Sequence, residues 1–204
     1  MANIPADEGN VPKRIPHNPP MPRVHLTVQN SALVVVDLQP SFLKAVHEAD
    51  RVLHRSIFLT RIANLMGIPV VATEQYPSRM GATDPRMVPH LGAARILGKM
   101  SFSCCGCPDF TGALGNRHQI VLVGAETHIC VCLTANDLLQ RGYQVVVCPD
   151  AVSSRTLEMH KLGMERIRDA GAVPSHTETV AYEWLKTAEH AAFKEALGIV
   201  KEMS

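Results

Sequence analysis

Ala-Leu-Val-Val-Val at 32–36, closed directly by Asp37, decides the fold class of this 204-residue chain. A continuous β-branched run without polar alternation reads as a strand buried on both faces. That is the condition of a parallel sheet covered by helices. The run recurs at 68–72, 120–123 and 145–147, and weaker strands are expected at 96–98 and 173–176. Helical spacing of apolar residues fills the intervals. Residues 50–66 form one helix stopped by Gly67, 130–140 a second, and 157–170 a third closed by Gly171. Two shorter helices are expected at 178–186 and 189–197. Strand and helix in alternation predict an open α/β sheet with one core.

Composition narrows the function classes. Apolar residues make up 46% and charged residues 19%, with a net charge of +1, so neither a basic nucleic-acid footprint nor an acidic tail is expected. Aromatic residues, at 4%, are too few for a base-stacking surface. No apolar run is long enough to span a bilayer, and the N-terminus has no hydrophobic core before a cleavage site, so no membrane partner or secretory signal is expected. Six cysteines, all between 104 and 148, do not form the scattered pattern of a secreted disulfide framework. They read as reduced thiols in an intracellular, cytoplasmic protein. Residues 1–29 carry Pro5, Pro12, Pro16, Pro19, Pro20 and Pro22 and are read as an extended N-terminal arm ahead of a domain at 30–204.

In open α/β sheets, ligands bind beyond the carboxyl ends of the strands. The run at 120–123 is followed by Gly-Ala-Glu-Thr-His-Ile-Cys (124–130) and then a helix. A cysteine at a helix start sits beside unpaired N–H groups and the positive end of the dipole. Such surroundings lower a thiol pKa to roughly 3.5–7.5, so Cys130 is a candidate nucleophile with an expected low pKa. The alternative is an inert core cysteine. Asp37 is either a proton acceptor for that thiol or a turn cap. Lys99, after 96–98, is either solvated or a charge partner between the two.

The three guesses together resemble the isochorismatase-like cysteine hydrolases, closest to the isochorismatase-domain-containing branch. The resemblance covers about residues 31–185. It rests on Val-Val-Asp-Leu-Gln-Pro-Ser-Phe (35–42), Thr-Glu-Gln-Tyr-Pro (73–77), Lys99, Gly-Ala-Glu-Thr-His-Ile-Cys-Val (124–131), and Asp-Ala-Val-Ser-Ser-Arg (150–155) with His160 following. It implies a three-layer α/β/α fold with a six-stranded, mainly parallel sheet in the order 3-2-1-4-5-6. It implies a catalytic triad of Asp37, Lys99 and Cys130, a cis peptide at 125–126, and an oxyanion hole from the backbone N–H groups of Glu126 and Cys130. The chemistry implied is hydrolysis of a small amide or amide-like C–N bond through a thioester, in a homo-oligomer (dimer or tetramer) without a cofactor.

Among residues expected to contact a small-molecule substrate, Gln39 lies in the first motif, and Phe42 is a pocket wall or core. Glu74, Gln75 and Tyr76 follow the second strand, with Glu74 foremost. His128 contacts substrate or bonds its own loop. No metal is expected. The nicotinamidase-type Asp-x-His is absent, and His47, Glu48 and Asp50 stand in the wrong order. Cys104-Cys105-Gly-Cys107 lacks a second cysteine pair for zinc and reads as a loop of small thiols. Two other classes remain open: a non-catalytic interaction protein on the same scaffold, and a ribonuclease, which no paired acid and base support.

Overall fold

The computed structural model describes residues 24–203. Six strands form one sheet in the order β3-β2-β1-β4-β5-β6, with every pairing parallel. In chain order the elements are β1 (Ser31–Val36), α1 (Pro40–Leu43), α2 (Ala49–Leu65), β2 (Val70–Gln75), α3 (Pro77–Met80) and β3 (Arg95–Lys99). Then follow α4 (Phe110–Leu114), β4 (Gln119–Ala125), α5 (Cys132–Gln140), β5 (Gln144–Ser153), α6 (Leu157–Asp169), β6 (Val173–Pro174), α7 (Thr177–Leu185) and α8 (Phe193–Met203).

Strand alternation sorts the apolar residues into two cores. Leu33 and Val35 of β1 pack with Val121 and Val123 of β4 under α2, α7 and α8. Ala32, Val34 and Val36 pack with Ile120 and Leu122 under α4, α5 and α6. The fold is therefore three-layered, α/β/α, and every residue of β1 is buried, as its unbroken apolar run requires. The single tryptophan, Trp184, lies in the first core and donates its indole N–H to the Ser31 hydroxyl at 2.9 Å, which ties α7 to the start of β1.

The central strand pair locates the site. β1 lies between β2 and β4, so the chain turns away in opposite directions from its carboxyl end. Asp37 leaves β1 at φ 48°, in the left-handed region that aspartate tolerates better than most residues. Opposite it, Gly124 pairs with Val36 and has φ 117°. A Cβ there would lie 2.1 Å from the Val36 carbonyl oxygen, so only glycine allows the two backbones to meet.

Several boundaries differ from the sequence reading. β5 continues past Pro149 to Ser153, because the chain bulges: Leu122–Gly124 of β4 is matched by Val147–Val152. Pro149 has no N–H for the ladder, and a bulge is where a sheet accommodates it. The last helix runs over Phe193–Met203 instead of 189–197, with Ala196, Ile199 and Met203 on its buried face. The proline-rich segment 1–23 lies outside the described residues. Packing already begins at its border: Leu26 is buried in the first core, and its N–H meets the Glu183 carboxylate at 3.0 Å. Among the described residues, no helix is long and apolar enough to cross a membrane.

Candidate active site

Asp37, just after β1, Lys99, at the end of β3, and Cys130, in the turn that follows β4, lie at the carboxyl edge of the sheet. Lys99 is the last residue of β3. Its ammonium group reaches under β2 to the Asp37 Oδ2 at 2.7 Å, with the two side chains 0% and 1% exposed. The same ammonium donates to Gln75 Oε1 at 2.6 Å and to the carbonyls of Phe102 at 3.1 Å and Ser101 at 3.2 Å. The other Asp37 oxygen, Oδ1, accepts from the Thr73 hydroxyl at 2.7 Å. The carboxylate is thus held at both ends, and Asp37 and Cys130 line the same cavity.

Cys130 does not open a regular helix. It sits in a π-helical turn, Thr127–Val131, that runs into α5, and Val131 N–H reaches back five residues to the Glu126 carbonyl at 3.2 Å. Such wide turns recur at functional sites and have no signature in residue spacing. The peptide bond between Ala125 and Glu126, just before the turn, is cis. The segment 150–155 braces the turn from outside. Ser154 Oγ contacts the His128 ring at 2.9 Å, Arg155 donates to Glu126 Oε2 at 3.1 Å, and His160 meets the Thr127 hydroxyl at 2.9 Å.

The expected low thiol pKa is corrected by the structure. Burial pushes the Cys130 thiol up to about 12, and the Asp37 charge adds to it; the Lys99 cation opposes both and loses. A second thiol, Cys104, lies behind Thr73, with Sγ 3.7 Å from its hydroxyl, and is raised to about 12 by its complete burial. Cys130 is therefore a neutral thiol at rest.

A cavity of about 60 Å³ opens onto Cys130. Phe42, Phe102, Ala125 and Ile129 give it apolar walls, and Asp37, Gln75, Glu126 and Cys130 supply its polar atoms. A larger surface depression of about 590 Å³ lies between α2 and α8, far from this chemistry, and carries the Arg61–Glu202 ion pair. The other residues expected at a substrate do not line the small cavity. Gln39 is buried and clamps the end of β2, donating to Gln75 O and Gly81 O and accepting from Gln75 N–H at 2.7 Å. Glu74 accepts from the backbone and hydroxyl of Thr83. Tyr76 turns outward at φ 44°, and His128 is engaged by Ser154. Gln75 takes the position expected of Glu74. β2 extends to residue 75, so Thr73 and Gln75 share the face turned to Asp37 and Lys99, and Glu74 points the other way. Phe102 comes from the loop after β3, which carries no periodic signal.

Gly163 of α6 fits this turn closely. A Cβ there would meet His128 Cα at 2.8 Å. Gly163→Ala is expected to lower the unfolding free energy by about 1–3 kcal/mol, the usual cost of overpacking. Urea denaturation measures it, and an unchanged midpoint would show that α6 yields without disturbing the turn.

An isochorismatase domain model matches residues 31–179. The protein named secreted isochorismatase effector Isc1, of Phytophthora sojae, is 34% identical over 184 residues, covering 87% of each chain. Isochorismatase domain-containing protein 2A of Mus musculus is 35% identical, covering 85% of this chain and 84% of its own. Among solved structures, the MAR1 ribonuclease of Caenorhabditis elegans superposes with a TM-score of 0.84 at 33% identity, over 87% of this chain and 93% of that one. A domain match across most of the chain, on a sheet of the order 3-2-1-4-5-6, means that this protein belongs to the isochorismatase family of hydrolases.

Proposed function

We propose that the protein is a cysteine hydrolase that cleaves a small amide or amide-like C–N bond through a thioester. The observation that carries this reading is the buried Asp37–Lys99 pair set against a thiol that opens on a cavity. Asp37 takes the proton of Cys130 as the sulfur attacks the carbonyl carbon, so no free thiolate has to persist in a buried site. The negative oxygen that forms is held by the backbone N–H groups of Glu126 and Cys130. Asp37 returns the proton to the departing amine, a thioester remains on Cys130, and water hydrolyses it to the acid. Lys99 keeps the Asp37 carboxylate in place and offsets its charge. No step calls for a cofactor.

The thioester is the decisive species. Incubation with short amides, an acid quench and peptide mass spectrometry are expected to find the acyl group on Cys130, with ammonia released. Absence of both across the series would sink the reading. A ribonuclease reading has one point in its favour, the name of the Caenorhabditis elegans relative. It predicts RNA cleavage that survives Cys130→Ser. A binding protein on this scaffold predicts a Cys130 as inert as the buried Cys148. A homo-oligomer accords with the exposed Met100, Leu157 and Leu162. Six free thiols favour a reducing, cytoplasmic setting, although the Phytophthora relative is named as secreted.

A further inference from the structure

We infer that this site takes short, uncharged primary carboxamides and turns away anionic ones. The inference rests on the cysteine-hydrolase reading and names its substrate class. Lys99 is the cation whose charge acts on the Cys130 thiol, but its ammonium has three N–H bonds and four oxygens already around it: Asp37, Gln75, Ser101 and Phe102. Arg155 is turned to Glu126 Oε2 through both its backbone and its side chain. Asp37 and Glu126 are the carboxylic acids among the described residues that line the cavity. A substrate carboxylate would therefore be desolvated beside two carboxylates whose cations are already engaged, with no free cation among the described residues that line the cavity.

A carboxamide meets the opposite situation. Its NH₂ group offers two donors, and Glu126 keeps Oε1 outside the Arg155 pair as an acceptor. Gln75 competes for neither role, since its own amide is committed to Lys99 and to the Met100 carbonyl. The apolar walls of Phe42 and Ile129 suit an aliphatic acyl group. A dry cavity of about 150 Å³ holds a benzene ring; this one, at about 60 Å³, has room for a few non-hydrogen atoms before the chain must pass Phe102. Hydrolysis turns the neutral substrate into an acid that ionises. The same carboxylates that reject an anionic substrate then expel the product.

Iodoacetamide and iodoacetate test this without a known substrate. They have the same shape and differ in charge, and with either the Cys130 sulfur displaces iodide and forms an S–C bond. Their rates at Cys130, read by peptide mass spectrometry and each divided by the rate with free cysteine, are expected to favour the amide by about 100-fold or more. Phe102→Arg, at an exposed position on the rim, is expected to cut that preference by about tenfold by supplying a cation. A normalised ratio below about 3 overturns the substrate class. If short amides still form the acyl-Cys130 in that case, the hydrolase reading stands alone. Labelling of Cys130 by neither reagent, except in denaturant, overturns both.

Discussion

Lys99→Met is expected to lower the unfolding free energy by about 3–5 kcal/mol, because it leaves the Asp37 carboxylate buried without its partner. For a domain of this size each kcal/mol is worth about 2–4 °C, so the melting temperature should fall by roughly 6–20 °C. Three oxygens besides Asp37 Oδ2 lose a donor at the same time, on Gln75, Ser101 and Phe102. The double variant Asp37→Asn/Lys99→Met separates the two causes. Asparagine tolerates the left-handed backbone at position 37 and still accepts from Thr73, but it carries no charge to strand. If the orphaned charge dominates, the double variant recovers most of the loss, and the cycle shows a coupling of about 2 kcal/mol or more. Additive losses would mean that the pair contributes only packing.

That cycle also bears on why the pair is there. A buried ion pair is weak evidence for stability, since an uncharged replacement of similar shape often does as well. Here the ammonium holds one Asp37 oxygen and the Thr73 hydroxyl the other, so the carboxylate is fixed in one orientation beside Cys130. Recovery of stability without recovery of hydrolysis would place the value of the pair in chemistry and not in folding.

The runs at 32–36 and 120–123 were legible as strands because burial on both faces erases polar alternation, and that pattern needs no tertiary information. The sheet order was not in the runs themselves. It came from the motifs through the family resemblance, since nothing local in a strand says which neighbour it pairs with. Asp37, Lys99 and Cys130 stand out as candidates in the sequence because strand ends are where ligands bind. What failed depended on packing. A helix start favours a thiolate, but the Cys130 pKa is decided by how much water the surrounding layer excludes. The apolar run stops at 72 while β2 continues to Gln75, and one residue of parity puts Gln75, not Glu74, on the face turned to the site. The bulge at Pro149 lengthened β5 past the point where its apolar run stops. At the C-terminus, the small apolar pair Ala191-Ala192 drew the expected helix forward, whereas the buried face is set by Ala196, Ile199 and Met203.

Asp37→Asn alone is expected to move two properties of Cys130 in opposite directions. Beside burial, the largest cause, the Asp37 charge holds the thiol pKa up. Removing that charge, with the Lys99 cation still in place, lowers that pKa, so a thiolate forms more readily. In the wild type, with the thiol near 12, the iodoacetamide rate should climb about tenfold per pH unit through pH 7–10 with no plateau. In the variant the plateau should enter that range. Amide hydrolysis should nevertheless fall by about 10⁴-fold or more, because the departing amine has lost the group that protonates it and the concerted transfer from sulfur is gone. A thiol that becomes easier to alkylate and unable to turn over identifies Asp37 as the proton carrier. Were hydrolysis to rise together with alkylation, Asp37 would be restraining the nucleophile, and the proton would have to come from another group at the cavity, with Glu126 the first to replace by glutamine.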